Sequence, residues 1–363
     1  MSRVQELLAG ISTRNKVIAS GVTVVVLAAA ITGVALASGG DKKPLAVASS
    51  SATPTPTPSP TPTPTPTPTP KPTPKPAINP LTGLGPIPSG PVIAVKIEDT
   101  ADARPQVNLD KADIVYIEQV EGGLTRMAAI FATNKPVVEP VRSVRASDSE
   151  LLTQYGKIIL VASGGGGSSL PTLDKSGMVG VINDRGGPGF GRDNNRPAPH
   201  NLTADLGAIS RSVKAAGVKN VGFEWAAQDP RLASAQAWPT INTRVGGTPV
   251  TFAYKNGRYY RYVDGQQLST AAGVPISTPN VLVQFCQVVT DYGDVDVVGN
   301  PSAMTKTIGT GRAALFRNGK RLVGTWSRPS ASAPTTFTDS HGKSFLLAPG
   351  GAYVVLAGNG APL

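Results

Sequence analysis

Short apolar runs separated by turn residues dominate the chain from about residue 91 onward. Runs of about four to eight residues that are rich in Val, Ile, Tyr and Phe and bounded by Gly, Pro or Asn are typical of β-strands. In the first half of this region they predict strands at Val92–Ile97, Asp113–Val120, Met127–Ala132, Ile158–Val161 and Met178–Ile182.

Apolar residues at helical spacing occur between and after these strands. Ser147–Tyr155 opens with the Ser-x-x-Glu pattern of a helix capping box, and Leu170–Lys175 predicts a short helix. Leu202–Ala216 carries an apolar stripe that is followed by glycine, a residue that often ends helices. Strands that alternate with helices indicate an α/β-layered domain, which we place at residues 79–238.

Helical periodicity is hard to find after residue 238, where strand-like runs alternate with turn pairs. Asn256-Gly257 and Asn318-Gly319 favour type I′ hairpin turns, and Asp264-Gly265 is a turn signal of the same kind. The predicted strands are Val250–Tyr254, Tyr259–Tyr262, Val281–Val289, Ala313–Phe316, Leu322–Trp326, Phe345–Leu347 and Tyr353–Leu356. Residues 239–363 are therefore expected to form a mostly antiparallel, β-rich domain, which makes the folded part a mixed α+β protein.

The N-terminal part of the chain has the pattern of a membrane anchor. Val17–Ser38 contains 22 residues without a charge, and about 20 apolar residues suffice for a helix to cross the hydrocarbon core. Basic residues precede this segment, which predicts a cytoplasmic tail at residues 1–16 and a single transmembrane pass. The alternative is a secreted protein cleaved near Ala37, since Ala35-Leu36-Ala37 has the form of a signal-peptide cleavage site.

Residues 39–78 predict a disordered spacer between the membrane and the folded part. Proline occupies every even position from Pro54 to Pro76 and mostly alternates with threonine. Proline fixes φ and favours extended conformations in the residue before it, so the segment is expected to be polyproline-like. Both interpretations of the N-terminus then place the rest of the chain outside the cytoplasm.

The net charge of +11 does not by itself indicate a polyanion-binding fold. Residues 1–80 hold seven basic and two acidic residues, a net charge of +5, which leaves +6 for the remaining 283 residues. A folded part with this modest charge, behind a spacer without aromatic residues, gives no reason to expect nucleic acid as a partner. One cysteine and two histidines exclude a disulfide framework and zinc sites that need four Cys or His ligands.

Motifs of several common enzyme classes are missing from the sequence. Gly309–Ala314 matches a dinucleotide-binding fingerprint, but it lies in a β-rich stretch without the long helix that should follow. Cys286 lies in an apolar strand-like run, where a thiol behaves as a small apolar side chain. No G-x-x-x-x-G-K-[ST], H-E-x-x-H or G-x-S-x-G string occurs, which disfavours P-loop ATPases, zincins and standard α/β-hydrolases.

A set of polar residues in the first domain remains, at strand ends and in Gly- or Pro-rich loops. Guanidinium groups placed in this way could converge on a phosphate or carboxylate. The residues predicted to bind such a ligand are Arg104, Gln106, Arg126, Arg142, Arg145, Arg192, Arg196 and Asn201. His200 and Glu121 are the candidates for a general acid or base. Asp113 and Asp193 are the candidates for metal ligands, so a divalent metal is the one cofactor that the sequence leaves open. The alternative is that the arginines are ordinary surface charges or pair with nearby carboxylates, and that His200 is structural.

Several strings of residues follow one another over about residues 79–357. They include Asn79-Pro80-Leu81-Thr82-Gly83, Ala103-Arg104-Pro105-Gln106, Glu121-Gly122-Gly123-Leu124-Thr125-Arg126, Pro140-Val141-Arg142-Ser143-Val144-Arg145 and Arg196-Pro197-Ala198-Pro199-His200-Asn201-Leu202. Together they resemble the YerB-like lipoprotein family, domain of unknown function 3048. The resemblance implies an extracytoplasmic two-domain protein of bacterial type, from a family without a settled activity. Two segments depart from the family: Leu36-Ala37-Ser38-Gly39 lacks the lipobox cysteine of many relatives, and Tyr262–Thr278 fits the family pattern poorly.

These observations support three functional hypotheses. The first is a cell-envelope protein that binds an anionic ligand, such as a phosphate-containing glycopolymer or a lipid-linked precursor, through the arginine-rich pocket. The second is an envelope hydrolase or transferase that acts on a phosphodiester or glycosidic bond in the same material. The third is a structural scaffold whose C-terminal domain binds a protein partner.

Overall fold

A computed structural model describes residues 77–296 and 299–363 of the chain. The predicted cytoplasmic tail, the transmembrane segment Val17–Ser38 and all but the last two residues of the spacer at 39–78 lie outside these ranges. Within them, no helix combines the length and the apolar character that crossing a membrane requires.

The described residues contain 22 β-strands and three α-helices. The elements before residue 239 are β1 (Ile93–Glu98), β2 (Ile114–Gln119), β3 (Thr125–Phe131), β4 (Val137–Val138), α1 (Ala146–Leu152), β5 (Ile159–Ala162), α2 (Ser169–Lys175), β6 (Val179–Ile182), β7 (Phe190–Arg192), β8 (Leu202–Asp205), α3 (Leu206–Ser212), β9 (Glu224–Trp225) and β10 (Gln236–Ala237). All five strands predicted in this region are present, within two residues of the predicted bounds.

Every regular element after residue 239 in the described ranges is a strand. These are β11 (Thr240–Val245), β12 (Thr248–Lys255), β13 (Arg258–Val263), β14 (Gln266–Gln267), β15 (Ser277–Thr278), β16 (Asn280–Val295), β17 (Pro301–Lys306), β18 (Gly309–Arg317), β19 (Lys320–Arg328), β20 (Thr336–Asp339), β21 (Leu346–Leu347) and β22 (Ala352–Gly358). Asn256, Asp264 and Asn318 all have positive φ and precede a glycine of positive φ, as the predicted hairpin turns require.

Twelve strands form one large mixed sheet, in the order β10-β19-β18-β16-β22-β2-β3-β1-β5-β6, with β17 and β20 attached to β16 and β19. Its last strand in sequence, β22, lies in the middle and runs parallel to both β2 and β16. The sheet is therefore continuous across the segments before and after residue 239. Strands outnumber helices throughout, so the fold is a mostly β member of the predicted mixed α+β class.

Alternating side chains of the central strands contribute to two buried clusters, one on each face of the sheet. On one face, Val95 of β1 belongs to the same cluster as Phe252 of β12, because the five-stranded sheet of β11 to β15 covers that face. On the other face, Ala94 of β1 belongs to a cluster with Leu151 of α1 and Leu173 of α2. Strand β1 is therefore covered on both sides, so any charged residue within it is buried.

The predicted helix at Leu202–Ala216 is wrong in its first and last residues. Leu202–Asp205 forms β8, which pairs with β4 and β7, so tertiary strand pairing overrides the helical spacing of the apolar residues. The helix begins after Asp205, whose Oδ1 accepts a hydrogen bond from the Ala208 N–H at 2.9 Å. It ends at Ser212, before the predicted glycine.

The capping box predicted for α1 is displaced by two residues. Asp148 Oδ2 accepts a hydrogen bond from the backbone N–H of Arg145 at 2.7 Å, which makes Arg145 the N-cap. Ser147 lies inside the helix, and its hydroxyl donates to Glu118 Oε2 at 3.2 Å. Glu150 accepts hydrogen bonds from a distant segment. The residues of the expected cap therefore connect the helix to β2 and to the turn between β17 and β18.

Candidate functional site

The carboxyl ends of several parallel strands meet at one edge of the large sheet. Strands β1 and β5 are parallel, as are β5 and β6, and β1 and β2 each run antiparallel to β3. In open α/β sheets this edge is where ligands commonly bind. Glu98 ends β1 and Glu118 lies near the end of β2, so acidic side chains gather at this edge.

Strand register places an arginine between these two carboxylates. Arg126 of β3 is opposite Glu98 on one side and Glu118 on the other. Directly opposed residues of antiparallel strands point to the same face of a sheet. The three side chains therefore belong to the face that is covered by α1 and α2.

Glu98 is the centre of the first group of contacts. His200 Nδ1 lies 2.9 Å from Glu98 Oε2, and Arg142 Nε lies 3.4 Å from the same oxygen. The other oxygen, Oε1, accepts a hydrogen bond from the Thr100 hydroxyl at 3.0 Å. Gln106 Nε2 donates to the Glu98 backbone carbonyl at 3.1 Å. In the described ranges, His200 Nε2 makes no hydrogen bond, so this nitrogen is the one left for a ligand.

Glu121 is the centre of a second group. Arg145 binds it in a bidentate way, with Nη2 at 2.8 Å from Oε2 and Nε donating to Oε1, and the Ser302 hydroxyl donates to Oε1 at 2.8 Å. Burial alone would raise the pKa of Glu121, but Arg145, Arg126 and Ser302 outweigh it and lower that pKa to about 2. A carboxyl group that stays ionised to such low pH holds no proton to donate near neutrality. Glu121 therefore fits a buried counter-ion better than a general acid.

Arg126 and Arg142 have few partners within the protein. Burial, followed by the charge of Arg145 and to a lesser degree that of Arg142, lowers the pKa of Arg126 to about 10. Its guanidinium donates one long hydrogen bond, to the Ser143 carbonyl at 3.4 Å, and lies 3.7 Å from Glu121 Oε2. Arg142 Nε is buried against Glu98 without a hydrogen bond, and no described residue accepts a hydrogen bond from Nη1 or Nη2 of Arg142. Both side chains thus keep N–H donors for a ligand.

A fully buried charge triad lies beneath these residues. Lys96 Nζ is 2.7 Å from Asp148 Oδ1 and also donates to Glu118 Oε1, and all three side chains are 0% exposed. Burial and the nearby Asp148 raise the pKa of Glu118, an effect that Lys96 opposes. Because Asp148 also caps the first turn of α1 at Arg145, the triad fixes the segment that presents Arg145 to Glu121.

Three predicted ligand residues brace the loop that carries His200. Arg192 Nη1 donates to Asn201 Oδ1 at 2.7 Å, and Asn201 Nδ2 donates to the Asp193 carbonyl at 3.2 Å. Arg196 donates to the carbonyl of Ala103 at 3.2 Å and to that of Pro105. These contacts connect the loop at 193–201 to the segment after β1, and so hold His200 beside Glu98.

Arg104 lies in a different group from the other predicted arginines. Its Nη2 donates to the Asp99 carbonyl and lies 3.5 Å from Asp99 Oδ1. Asp99 Oδ2 also accepts hydrogen bonds from Arg261 at 2.5 Å and from the Thr125 hydroxyl at 2.7 Å. Asp99 follows Glu98 in an extended strand, so successive side chains turn to opposite faces. Arg104 and Arg261 thus pair with a carboxylate on the face that the five-stranded sheet covers.

The two predicted metal ligands do not come together. Asp113 Oδ2 accepts backbone hydrogen bonds from Ala132 at 2.6 Å and Thr133 at 2.9 Å, at the amino end of β2. Asp193 Oδ1 accepts from the backbone of Asn195 at 2.8 Å. In the part of the chain that the structure describes, no group of three or more His, Cys, Asp or Glu side chains could hold a metal ion.

The structure explains why neither the dinucleotide-like segment Gly309–Ala314 nor Cys286 is a functional site. Gly309–Ala314 forms the first six residues of β18, which pairs with β19 in a hairpin. Cys286 is fully buried in β16, and burial raises the pKa of its thiol to about 12. A thiol with that pKa is not a nucleophile near neutral pH.

Sequence reasoning missed Glu98 and Lys96, which organise the site. Both lie in β1, at alternate positions of the apolar run Ile93–Glu98. A signal was present, because two charged residues in a strand that otherwise reads as fully buried must be paired inside the protein.

Family models match both halves of the folded part. Residues 81–219 match the N-terminal domain of a protein family of unknown function, DUF3048, and residues 240–354 match the C-terminal domain of the same family. The two matches lie on either side of the domain boundary predicted at 238/239, and together they cover more than half of the chain.

Two comparisons with individual proteins agree with these matches. The protein named "Putative lipoprotein YerB" from Bacillus subtilis (strain 168) is 34% identical over 146 residues, which span 39% of this chain and 44% of the relative. The crystal structure of the YerB protein from Bacillus subtilis superposes with a TM-score of 0.64 at 23% identity, over 77% of this chain and 96% of that one. The chain therefore belongs to the DUF3048 family and shares its fold with YerB.

Proposed function

We propose that this protein binds an anionic, phosphate-containing ligand of the cell envelope, a glycopolymer or a lipid-linked precursor, through Arg126 and Arg142. The observation that carries the proposal is the incomplete hydrogen bonding of these two guanidinium groups at the carboxyl-end edge of the sheet. Arg126 has one long hydrogen bond and Arg142 has an ion pair without a hydrogen bond at Nε.

Other buried arginines of this protein donate more hydrogen bonds, although two of them also have an unpaired Nε. Arg261 and Arg317 each donate from both Nη atoms. Arg328 donates to the Glu150 carbonyl at 2.6 Å, to the Thr307 hydroxyl at 2.8 Å and to two further carbonyl groups. Leaving buried donors unpaired costs about 1–3 kcal/mol each, more for charged groups. A phosphate oxygen would supply the acceptors that Arg126 and Arg142 lack, in the bidentate geometry that guanidinium groups favour.

The charge balance of the site supports the same ligand. Three arginines, Arg126, Arg142 and Arg145, have only the carboxylates Glu98 and Glu121 as ion-pair partners. The triad beneath them has the opposite balance, with Lys96 between Glu118 and Asp148, so the excess of positive charge is local to the arginines. An oxyanion would balance this charge and relieve the repulsion between Arg126 and its neighbours. Two guanidinium groups with unpaired donors match one phosphate group of such a ligand.

The cellular setting is inferred from the relative and the N-terminal sequence. A relative is named as a lipoprotein, and Val17–Ser38 has the composition of a membrane anchor. Both support a membrane-associated protein whose folded part lies outside the cytoplasm. Phosphate-bearing polymers and lipid-linked intermediates are the anions found in that setting.

Replacing Arg142 by alanine is expected to weaken anion binding about tenfold or more, because a charge-assisted contact to a phosphate is lost. Isothermal titration with inorganic pyrophosphate and with a poly(glycerol phosphate) would measure the change. Arg185→Ala is the matched control, since Arg185 is exposed and pairs with an exposed Asp174. Equal affinities of the wild-type and Arg142→Ala proteins for both probes would refute the proposal.

The second candidate is a hydrolase, and the observation that favours it is the pairing of His200 with Glu98. A carboxylate on Nδ1 orients an imidazole so that Nε2 can take a proton from water, and Arg142 beside the same carboxylate would bind the phosphate under attack. This arrangement fits a phosphodiesterase better than a glycosidase.

If the protein is such an enzyme, His200→Ala is expected to lower its turnover about a hundredfold, because general-base assistance is lost. Release of p-nitrophenol from bis-(p-nitrophenyl) phosphate would report this. His341→Ala is the control, since His341 is exposed, lies in the turn after β20 and makes no contact with Glu98 or the arginines of the site. Turnover that survives in the His200→Ala protein would remove this residue from the mechanism.

A further inference from the structure

A second candidate site lies beside Arg104, apart from the anion site. Two adjoining cavities, each of about 510 Å³, share Ala101, Arg104, Val263 and Asp264 as lining residues. Each volume is in the range of about 300–1,000 Å³ that is typical of small-molecule sites. The walls come from the segment after β1 and from the hairpin of β13 and β14, so segments from both family domains enclose the space.

Five residues with hydroxyl groups line the first of these cavities, and each of these hydroxyl groups already donates a hydrogen bond inside the protein. Each hydroxyl therefore keeps only oxygen lone pairs for a ligand, so this part of the wall accepts hydrogen bonds. The five bonds are Thr100 to Glu98 Oε1 at 3.0 Å, Thr125 to Asp99 Oδ2 at 2.7 Å, Thr248 to the Gly123 carbonyl at 3.1 Å, Thr251 to Asn242 Oδ1 at 3.1 Å and Tyr262 to Gln267 Oε1 at 3.3 Å.

Arg104 supplies donors to the same space. Its Nη2 is engaged by Asp99 and its Nε is buried, whereas its Nη1 makes no hydrogen bond among the described residues and is the donor left for a ligand. The guanidinium side chain is 18% exposed and lines both cavities. A ligand here must therefore both donate to hydroxyl oxygens and accept from a guanidinium, as the hydroxyl groups of a polyol do.

The charges around the cavity cancel. Asp99 pairs with Arg104 and also with Arg261 behind the wall. Asp264 at the hairpin turn is exposed and has no ion pair in the described ranges. Two arginines thus face two carboxylates, which gives neither an anion nor a cation an advantage. This balance distinguishes the cavity from the anion site, where positive charge is in excess.

Apolar surface completes the wall. Leu124, Pro249 and Ala253 line the same cavity as the hydroxyl groups, and the Leu124 side chain is 50% exposed. Sugar rings combine apolar C–H faces with hydroxyl edges, and proteins bind them with this mixture of apolar, hydroxyl and charged groups. We propose that the cavity beside Arg104 binds an uncharged saccharide.

Saturation-transfer NMR and isothermal titration of the protein with the neutral trisaccharides N,N′,N″-triacetylchitotriose, cellotriose and maltotriose would test this. At least one of them is expected to bind with a Kd of about 1 mM or tighter. Thr251→Val is expected to weaken that binding about fivefold or more, since the methyl group cannot accept a hydrogen bond. Thr336→Val is the matched control, because its hydroxyl donates to a carbonyl at an exposed position of β20.

The outcomes separate this site from the anion site. Arg142→Ala should leave saccharide binding unchanged, and Thr251→Val should leave pyrophosphate binding unchanged. No binding of any of the three saccharides, or binding that Thr251→Val and Tyr262→Ala both leave intact, would overturn the proposal. So would binding of glucosamine oligomers in the absence of binding by the neutral sugars, because it would identify a cation site.

Discussion

Replacing Lys96 by methionine is expected to lower the free energy of unfolding by about 3–5 kcal/mol at neutral pH. Lys96 is the only basic side chain within ion-pair distance of Glu118 and Asp148 in the described residues, and all three are fully buried. Its removal leaves two carboxyl groups close together without a counter-ion. Urea unfolding followed by tryptophan fluorescence would give the difference.

The pH dependence of this loss has a definite sign. Burial is the largest cause that raises the pKa of Glu118, and the charge of Asp148 is the next. The positive charge of Lys96 lowers the same pKa and so opposes both effects. An acid whose pKa is higher in the folded than in the unfolded state loses stability as the pH rises from its unfolded pKa to its folded pKa. The deficit of Lys96→Met relative to the wild type should therefore grow between about pH 5 and pH 8.

Two further variants make this prediction specific. Lys96→Met/Glu118→Gln should recover part of the loss, because the amide does not leave a second buried charge. Lys111→Met should change stability by less than about 0.5 kcal/mol, since Lys111 is half-exposed and its pair with Asp110 is screened by solvent. A deficit of the same size at pH 5 and pH 8 would contradict the role assigned to Lys96.

Glu121→Gln is expected to lower the free energy of unfolding by about 3 kcal/mol at pH 7. The value follows from a pKa that falls from 4.5 to about 2 on folding, at about 1.4 kcal/mol for each pH unit. The physical cause is the loss of the charge that Arg145 binds in a bidentate way and that Arg126 approaches.

The same linkage predicts where the difference disappears. A carboxyl group with a lowered folded pKa adds stability above its unfolded pKa, and that stability is lost as the pH falls to the folded value. The gap between wild type and Glu121→Gln should therefore shrink to about 1 kcal/mol at pH 3. Asp174→Asn is the control, because Asp174 pairs with Arg185 at the exposed surface. A gap that stays constant from pH 7 to pH 3 would show that the glutamine disturbs packing instead.

The strands of the central sheet were predictable because their apolar runs are short and end at turn residues. Ile159–Ala162 and Val179–Ile182 lie within a residue of their predicted bounds. Leu202–Asp205 could not be identified as a strand, since its spacing suits a helix and only its pairing partners decide otherwise. The spacing of apolar residues predicts a helix or strand correctly when tertiary contacts favour the same element, and it predicts wrongly when tertiary contacts favour another.

The types of residue in the candidate site were predictable from the sequence, whereas which of them lie close together was less predictable. Arg126, Arg142 and Arg145 do come together, as their positions at strand ends suggested. Arg196 looked the same in sequence, yet it binds carbonyl groups of its own chain. A loop arginine can donate hydrogen bonds either to a ligand or to backbone carbonyl groups, and only the three-dimensional structure shows which of the two occurs. Glu98 went unnoticed because a charged residue in a strand is usually assigned to solvent.

The position of β22 has a consequence for how the protein is made. Strand β22 (Ala352–Gly358) is the last strand of the sheet to be synthesised, and it lies between β2 and β16. Strand β2 is synthesised roughly 240 residues earlier. Until β22 arrives, both neighbours present open edges that other chains could pair with. Loss of Ala352–Gly358 alone would remove the middle of the sheet and leave its borders intact. The sheet can therefore close only after β22 has been synthesised, however early its other strands have formed.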